Sequence, residues 1–290
     1  MLKHVTRVAL IALLLGALLG ACGDDDDGGG SATATTEADA GAETPTLAVS
    51  AKEYAFTTAS SVKAGYVKVE LKNEGKEEHQ AQLLRINDGV TPQQLQEAAT
   101  DTTGEKLLGL TSIEGGVNAI AGGASQSAVT KLDPGSFLML CFVPAPDGQP
   151  HVAKGMQTQF TVSGPAAEND EPKYDSEIAA RDFTFDLPAI TSGEQTIEFK
   201  NAGPQPHEAT MVKVADGKKV EDVQAFFSGT PSGPPPYVGV GGAAAVKPNG
   251  VTFPTIDLKP GTYAVFCLVP DSNTGKPHIQ LGMFKSFEVK

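Results

Sequence analysis

The strongest constraint in this 290-residue chain is that its second half repeats its first. With a shift of about 126 to 129 residues, Asn73-Glu74-Gly75 followed by His79 falls on Asn201-Ala202-Gly203 followed by His207. Leu132-Asp133-Pro134-Gly135-Ser136-Phe137 falls on Leu258-Lys259-Pro260-Gly261-Thr262-Tyr263. Gly115-Gly116 matches Gly241-Gly242, and Cys141-Phe142-Val143-Pro144 matches Cys267-Leu268-Val269-Pro270. Gly148-Gln149-Pro150-His151 matches Gly275-Lys276-Pro277-His278, and Gly155-Met156 matches Gly282-Met283. So many aligned points require a duplication. Each copy is long enough for a domain, which gives domain one at 46–163 and domain two at 173–290. Between them, residues 164–172 have a linker's composition of Gly, Pro and Ala followed by acids and Asn.

Each copy reads as strands. Tyr66 to Leu71 and Gln195 to Phe199 alternate polar and apolar residues. His79 and His207 open further apolar runs. Pro134-Gly135 and Pro260-Gly261 are turn signals ahead of the segments that end in Cys141 and Cys267. With 32 Gly, 20 Pro and only 6% aromatic residues, the composition favours short strands and tight turns. Thr91-Pro92 predicts a helix start, and Val220 to Phe227 occupies the same place in the second copy. The expected fold is all-β: two tandem Greek-key sandwiches, each with one short helix. Ser228 to Pro254 fits no element and reads as an ordered surface loop, or as a cover for one end of domain two.

The N-terminus is a targeting signal. Lys3 and Arg7 precede a short apolar run, Val8 to Leu19, too short for a comfortable membrane span. Leu19-Gly20-Ala21-Cys22 resembles the lipobox of bacterial lipoproteins. That resemblance implies cleavage after residue 21, acylation of Cys22 and an extracytoplasmic protein anchored to a bacterial membrane; an ordinary secretory signal is the alternative. Residues 22–45, with four Asp and then three Gly, read as a disordered tether, the alternative being metal capture by the Asp run. The net charge of −13 argues against nucleic acid as a partner.

A census of reactive side chains carries the functional argument. Apart from His4 in the signal, the histidines are His79, His151, His207 and His278, two per copy at equivalent positions. Apart from Cys22, there is one cysteine per copy, Cys141 and Cys267, so neither copy can form an internal disulfide. Met139 and Met211 lie in predicted strands and read as core. Met156 and Met283 each follow a glycine, five residues after the second histidine. Each copy therefore holds the ordered set His, Cys, His, Met. A thiolate and two imidazoles hold copper in a trigonal plane, with a thioether as a weak axial ligand. Zinc favours a tetrahedral set without thioether. Buried inert thiols and structural histidines are the alternative.

Over both copies the chain resembles the cupredoxins, or blue copper proteins. The N-x-G turn before the first histidine carries the resemblance, with the strands Gly135-Ser136-Phe137-Leu138-Met139-Leu140-Cys141 and Gly261-Thr262-Tyr263-Ala264-Val265-Phe266-Cys267 and the His and Met that follow. It implies a type 1 copper ion per copy, two in all. The first would be held by His79, Cys141, His151 and Met156, the second by His207, Cys267, His278 and Met283. The chain departs from small cupredoxins in its long cysteine-to-histidine loops, which look more like those of copper nitrite reductases. Such enzymes need extra histidines for a catalytic copper, commonly one beside the cysteine. Here Leu140, Phe142, Phe266 and Leu268 flank the cysteines, so the expectation is a non-enzyme with no catalytic residues. Three roles stay open: an electron carrier serving a redox partner protein, a copper store exchanging with a donor or acceptor, and a metal-free binding module. In a carrier, electrons would pass through His151 or His278 on an exposed loop, beside an apolar docking patch at Val152 and Ile279.

Overall fold

The computed structural model describes residues 43–98, 104–165, 169–229 and 233–290. The signal segment and Cys22 lie outside them. The first copy folds into β1 (Thr46–Lys52), β2 (Ala55–Thr58), β3 (Ser61–Lys63), β4 (Gly65–Asn73), β5 (His79–Ile86), α1 (Pro92–Ala98), α2 (Glu105–Gly109), β6 (Thr111–Ile120), β7 (Ser125–Leu132), β8 (Gly135–Leu140) and β9 (Gln157–Ser163). The second copy gives β10 (Ser176–Arg181), β11 (Thr184–Asp186), β12 (Gly193–Asn201), β13 (His207–Val214), α3 (Val220–Ser228), β14 (Tyr237–Val246), β15 (Val251–Leu258), β16 (Gly261–Phe266) and β17 (Phe284–Val289). A 3-10 turn follows each second histidine, at His151–Lys154 and His278–Leu281.

The all-β sandwich is present, and its two sheets run through both copies. One has the order β11-β10-β12-β15-β7-β4-β1-β2 and the other β17-β16-β13-β14-β6-β5-β8-β9-β3. The alternation seen in sequence becomes the burial pattern of β4 and β12, whose buried faces look into the core. Cores of equivalent composition lie between the sheets, one holding Cys141 and Met156, the other Cys267 and Met283. β5 and β13 are buried on both faces because helices cover the outer face of their sheet. Leu107 of α2 packs toward Leu84, Leu138 and Leu140, while Val223 and Phe227 of α3 pack toward Val212 and Phe266. Thr91 starts α1 with a reciprocal cap: its N–H donates to Gln94 Oε1 at 2.8 Å, and its Oγ1 accepts from Gln94 N at 3.3 Å. α2 is a second short helix in the first copy, beyond the single one expected.

The segment Ser228 to Pro254 corrects the sequence reading. Its described part is no surface loop: it ends α3, forms β14 and enters β15, and these strands join the two copies. β14 pairs with β6 and β15 with β7, both antiparallel. Val117 pairs with its own repeat equivalent Ala243, and Ala128 with its equivalent Pro254. Around them the register is reciprocal, Glu114 with Val246 and Ile120 with Val240. That pattern is the one a twofold axis imposes on an isologous contact. The run Gly241-Gly242-Ala243-Ala244-Ala245, which had no element signal of its own, is the seam strand.

Side-chain amides complete the seam. Gln82 gives and takes one hydrogen bond with the backbone of Ala245, at 2.9 and 2.8 Å. Gln126 does the same with Gly242, at 3.1 and 3.0 Å. Buried Asn118 donates to Ala243 O at 2.9 Å and Thr210 Oγ1 at 3.0 Å, and lies 3.3 Å from Glu208 Oε2. Gly116 and Gly242 sit at φ 117° and 108°, where a β-carbon would overlap the carbonyl oxygens of Ala81 and Ala209. The ladder slips register beside His79 and His207, the local rearrangement by which a bulge re-aims a side chain.

The twofold pattern also sets where the histidine-bearing strand ends lie. His79 pairs with Ile120, and His207 pairs with Val246. These positions are three strand spacings apart, about 14 Å, and about 20 Å apart along the strands. The two sites therefore lie at opposite ends of the shared sandwich.

Candidate metal centres

Each first histidine is delivered by the N-x-G turn, and the structure gives the turn its physical reason. Asn73 accepts from Gly75 N at 2.9 Å and donates to Glu77 O at 2.8 Å and Ile120 O at 3.0 Å. Asn201 repeats this with Gly203 N at 2.9 Å, Gln205 O at 2.7 Å and Val246 O at 3.0 Å. The buried amide is fully used, and it ties the turn to a seam strand. The glycine supplies space. A β-carbon at Gly203 would stand 2.7 Å from His207 Nε2 and 2.8 Å from Asp182 Oδ1. At Gly75 it would stand 2.9 Å from His79 Nε2.

Cysteine, second histidine and methionine come from one closed loop. Cys141 N donates to Met156 O at 3.3 Å, Val152 N to Cys141 O at 2.8 Å and His151 N to Val143 O at 2.9 Å. The second half repeats this with Cys267 to Met283 at 3.3 Å, Ile279 to Cys267 at 2.8 Å and His278 to Val269 at 3.0 Å. Bridges between Pro144 and Pro150, and between Pro270 and Pro277, pinch the loops. The extra residues thus bulge outward beyond the pinch while the cysteine and histidine ends stay in register.

The donors converge. His79, Cys141 and His151 form one buried group, and His207, Cys267 and His278 another, with ligand atoms within 4.8 Å of one another. His79 Nδ1 lies 3.1 Å from His151 Nδ1, which lies 3.4 Å from Cys141 Sγ. In the second half, His207 Nδ1 to His278 Nδ1 is 3.1 Å, and Cys267 Sγ lies 3.4 Å from His278 Nδ1 and 3.9 Å from His207 Nδ1. Gln80 N and Glu208 N each point at a thiol sulfur from 3.5 Å. Met156 and Met283 are fully buried in the same clusters as the cysteines. Among the described residues, every histidine and cysteine belongs to one of these groups.

Electrostatics suit a metal. Burial pushes the Cys141 thiol up to about 11 and the Cys267 thiol higher still, so without a cation both stay protonated. A bound metal deprotonates such a thiol outright. Burial, helped by the facing histidine, lowers His79 and His278 to about 4. Burial also lowers His151 and His207, opposed by Glu77 and by Asp182. All four rings are therefore neutral at pH 7, the form that ligates. Glu77 Oε2 lies 2.9 Å from His151 Nε2, and Asp182 Oδ1 lies 2.5 Å from His207 Nε2. Carboxylates there hold the proton on Nε2 and leave Nδ1 bare toward the thiol. The residues present thus fit a soft, imidazole-binding ion, one copper per group.

Sequence reasoning missed what covers the donors. The turn between β1 and β2 brings the Tyr54 ring to 4.9 Å from His151, and the turn between β10 and β11 brings Phe183 to 4.9 Å from His278. Glu53-Tyr54-Ala55-Phe56 and Asp182-Phe183-Thr184-Phe185 are repeat equivalents, a signal visible in the chain. This cover corrects one expectation: His151 and His278 are on no exposed surface, and both are 0% exposed. Nor do Val152 and Ile279 make a docking patch. Ile279 is buried against the cluster beneath α3, and Val152 packs against that of Leu84 and Leu140.

No protein-family model and no curated protein matches the chain. Among solved structures, it is similar to dithionite-reduced auracyanin from Roseiflexus castenholzii, at 25% identity and a TM-score of 0.29 over 40% of this chain and 95% of that one. Auracyanin A of Chloroflexus aurantiacus, described as a blue copper protein, aligns at 21% identity and 0.28 over 40% of this chain and 98% of its own. A multicopper oxidase of Campylobacter jejuni, described as a metallo-oxidase, spans 84% of this chain and 63% of its own, at 10% identity and 0.23.

Proposed function

We propose that this protein is an electron carrier with two type 1-like copper centres, tethered outside the cytoplasm through a lipidated Cys22. The observation that carries the copper reading is the buried convergence of two Nδ1 atoms and one thiol sulfur, present twice. Met156 and Met283 are proposed as the axial thioethers. The redox partner is a protein, reached by each end of the sandwich. Complete burial of the donors favours a carrier over a store: copper held there leaves only when the cover opens, whereas an electron needs no opening. A metal-free role is disfavoured because each half directs two imidazole nitrogens and one thiol sulfur to a single buried point. No histidine among the described residues is left over for a catalytic copper. Copper-loaded protein is expected to carry two ions, an intense thiolate-to-copper band and a narrow copper hyperfine splitting. Protein that stays colourless and metal-free after loading sinks the proposal. Globomycin-sensitive processing and fatty-acid labelling that disappears in Cys22→Ala test the anchor.

A further inference from the structure

We infer that the two centres are inequivalent by construction, because the carboxylate that steadies a ligand imidazole acts on a different histidine in each half: Glu77 on His151 and Asp182 on His207. This rests on the proposal that both groups bind copper. The swap follows from three differences between the copies. In the first half the Glu53 carboxylate is occupied by the backbone N–H groups of Lys76 and, at 3.0 Å, Glu77. It stays 3.9 Å from His79 Nε2, beyond hydrogen-bond reach. Glu77 instead reaches His151 Nε2 at 2.9 Å and accepts the Tyr54 hydroxyl at 3.2 Å.

In the second half the residue equivalent to Glu77 is Gln205, which faces elsewhere. Its Nε2 donates to Asp182 Oδ2 at 3.0 Å and Asp271 Oδ1 at 2.9 Å, and its Oε1 accepts from Ser272 N at 2.7 Å. Asp182, the shorter equivalent of Glu53, reaches His207 directly. Phe183 replaces Tyr54 and has no hydroxyl to offer. Among the described residues, the buried Nε2 atoms of His79 and His278 find no hydrogen-bond partner. The steadied histidine is thus the one on the cysteine loop in the first half and the one at the head of the strand in the second.

An outer carboxylate makes its imidazole a stronger donor and so favours the more highly charged Cu(II). In the first half two carboxylates, Glu53 and Glu77, lie within 4 Å of a ligand Nε2. In the second, Asp182 is the one ion-pair partner of a ligand histidine among the described residues. The two centres therefore differ in which of their two imidazoles is the stronger donor, and with it in potential. Glu77 and Asp182 are positioning residues, acting through His151 and His207.

The test uses the full chain with one centre at a time: Cys267→Ser to report the first, Cys141→Ser the second. Redox titration is expected to separate the two centres and to give the first a potential of its own. Glu77→Gln is expected to raise that potential by about 59 mV for each tenfold loss of preference for Cu(II), a tenfold loss being the lower end of outer-shell effects. The same substitution leaves the second centre unmoved, while Asp182→Asn raises the second alone. A copper-free reading comes from the far-downfield imidazole N–H proton resonances. Glu77→Gln removes the one from His151, and Asp182→Asn the one from His207. Two copper ions of equal potential, or a Glu77→Gln protein that keeps the first centre's potential and the His151 resonance, overturn this inference alone. Protein that takes up no copper overturns the functional proposal and this inference with it.

Discussion

The two halves carry the same donors in the same order, yet they differ in what surrounds those donors. In the first half Phe142, the residue after the cysteine, is 42% exposed. In the second its equivalent Leu268 packs into the cluster that contains Phe227 of α3. The seam is equally lopsided. Gln82, Gln126 and Asn118 of the first half reach into the second, where their equivalents are Thr210, Thr252 and Ala244. The backbone contact is symmetric while the side chains are not. The strand register is that of an isologous pair, while the side chains that complete it come unequally from the two halves.

The largest test of this comparison is removal of one thiolate. Cys141→Ser and Cys267→Ser are each expected to remove one copper ion and about half of the charge-transfer absorption, leaving the other centre intact. If either substitution bleaches both centres, the halves are not independent metal sites. Next is Gly242→Ala, which forces a β-carbon against the Ala209 carbonyl and strains φ. It is expected to destabilise by about 3 kcal/mol or more, read as a lower denaturation midpoint. Gly116→Ala matches it if the twofold pattern holds.

Acid is the third. His79 and His278 have folded values near 4, below the ordinary 6.5. Between those values the unfolded chain binds more protons than the folded one, so stability rises with pH across this window. Copper-free protein is expected to lose a few kcal/mol as pH falls from about 6.5 to about 4, measured by urea midpoints. Bound copper, which occupies the same nitrogens, resists the loss until protons displace it.

Asn118→Leu comes fourth. It leaves the Ala243 carbonyl and buried Glu208 short of a donor, at an expected cost of about 1–3 kcal/mol. Ala244→Ser, at the equivalent place in the second half, should cost less. The smallest effect is expected from Tyr54→Phe, which gives the first half the second half's residue. Losing one part-buried hydrogen bond to Glu77 costs about 1 kcal/mol or less, and copper stoichiometry stays unchanged by metal analysis.

Much of this was legible in the chain. The strands around Tyr66 to Leu71 and Gln195 to Phe199 appear where alternation placed them, because a sheet with one face in the core imposes a period of two. The six converging histidines and cysteines were legible because duplication printed their pattern of three twice, and because histidine and cysteine are rare enough for a census to be complete. β14 was not legible: Gly241 to Ala245 carries no alternation, since a seam strand packed closely on both sides selects small residues rather than a polar face. The carboxylates were hidden for another reason. Glu53, Glu77 and Asp182 look like any surface acid in a chain of net charge −13, and what distinguishes them is a distance.

By itself, then, the sequence determined the repeat, the strand pattern and the identity and order of the histidines and cysteines that converge, because these depend on residue type and local spacing. Tertiary structure alone decided that the two copies share their sheets, that the histidines lie covered by Tyr54 and Phe183, and which histidine each carboxylate steadies. Those outcomes depend on contacts between segments far apart in the chain, such as Glu77 with His151 and Asp182 with His207. A one-carbon difference in side-chain length, or an amide in place of an acid, redirects such contacts without changing any pattern along the chain.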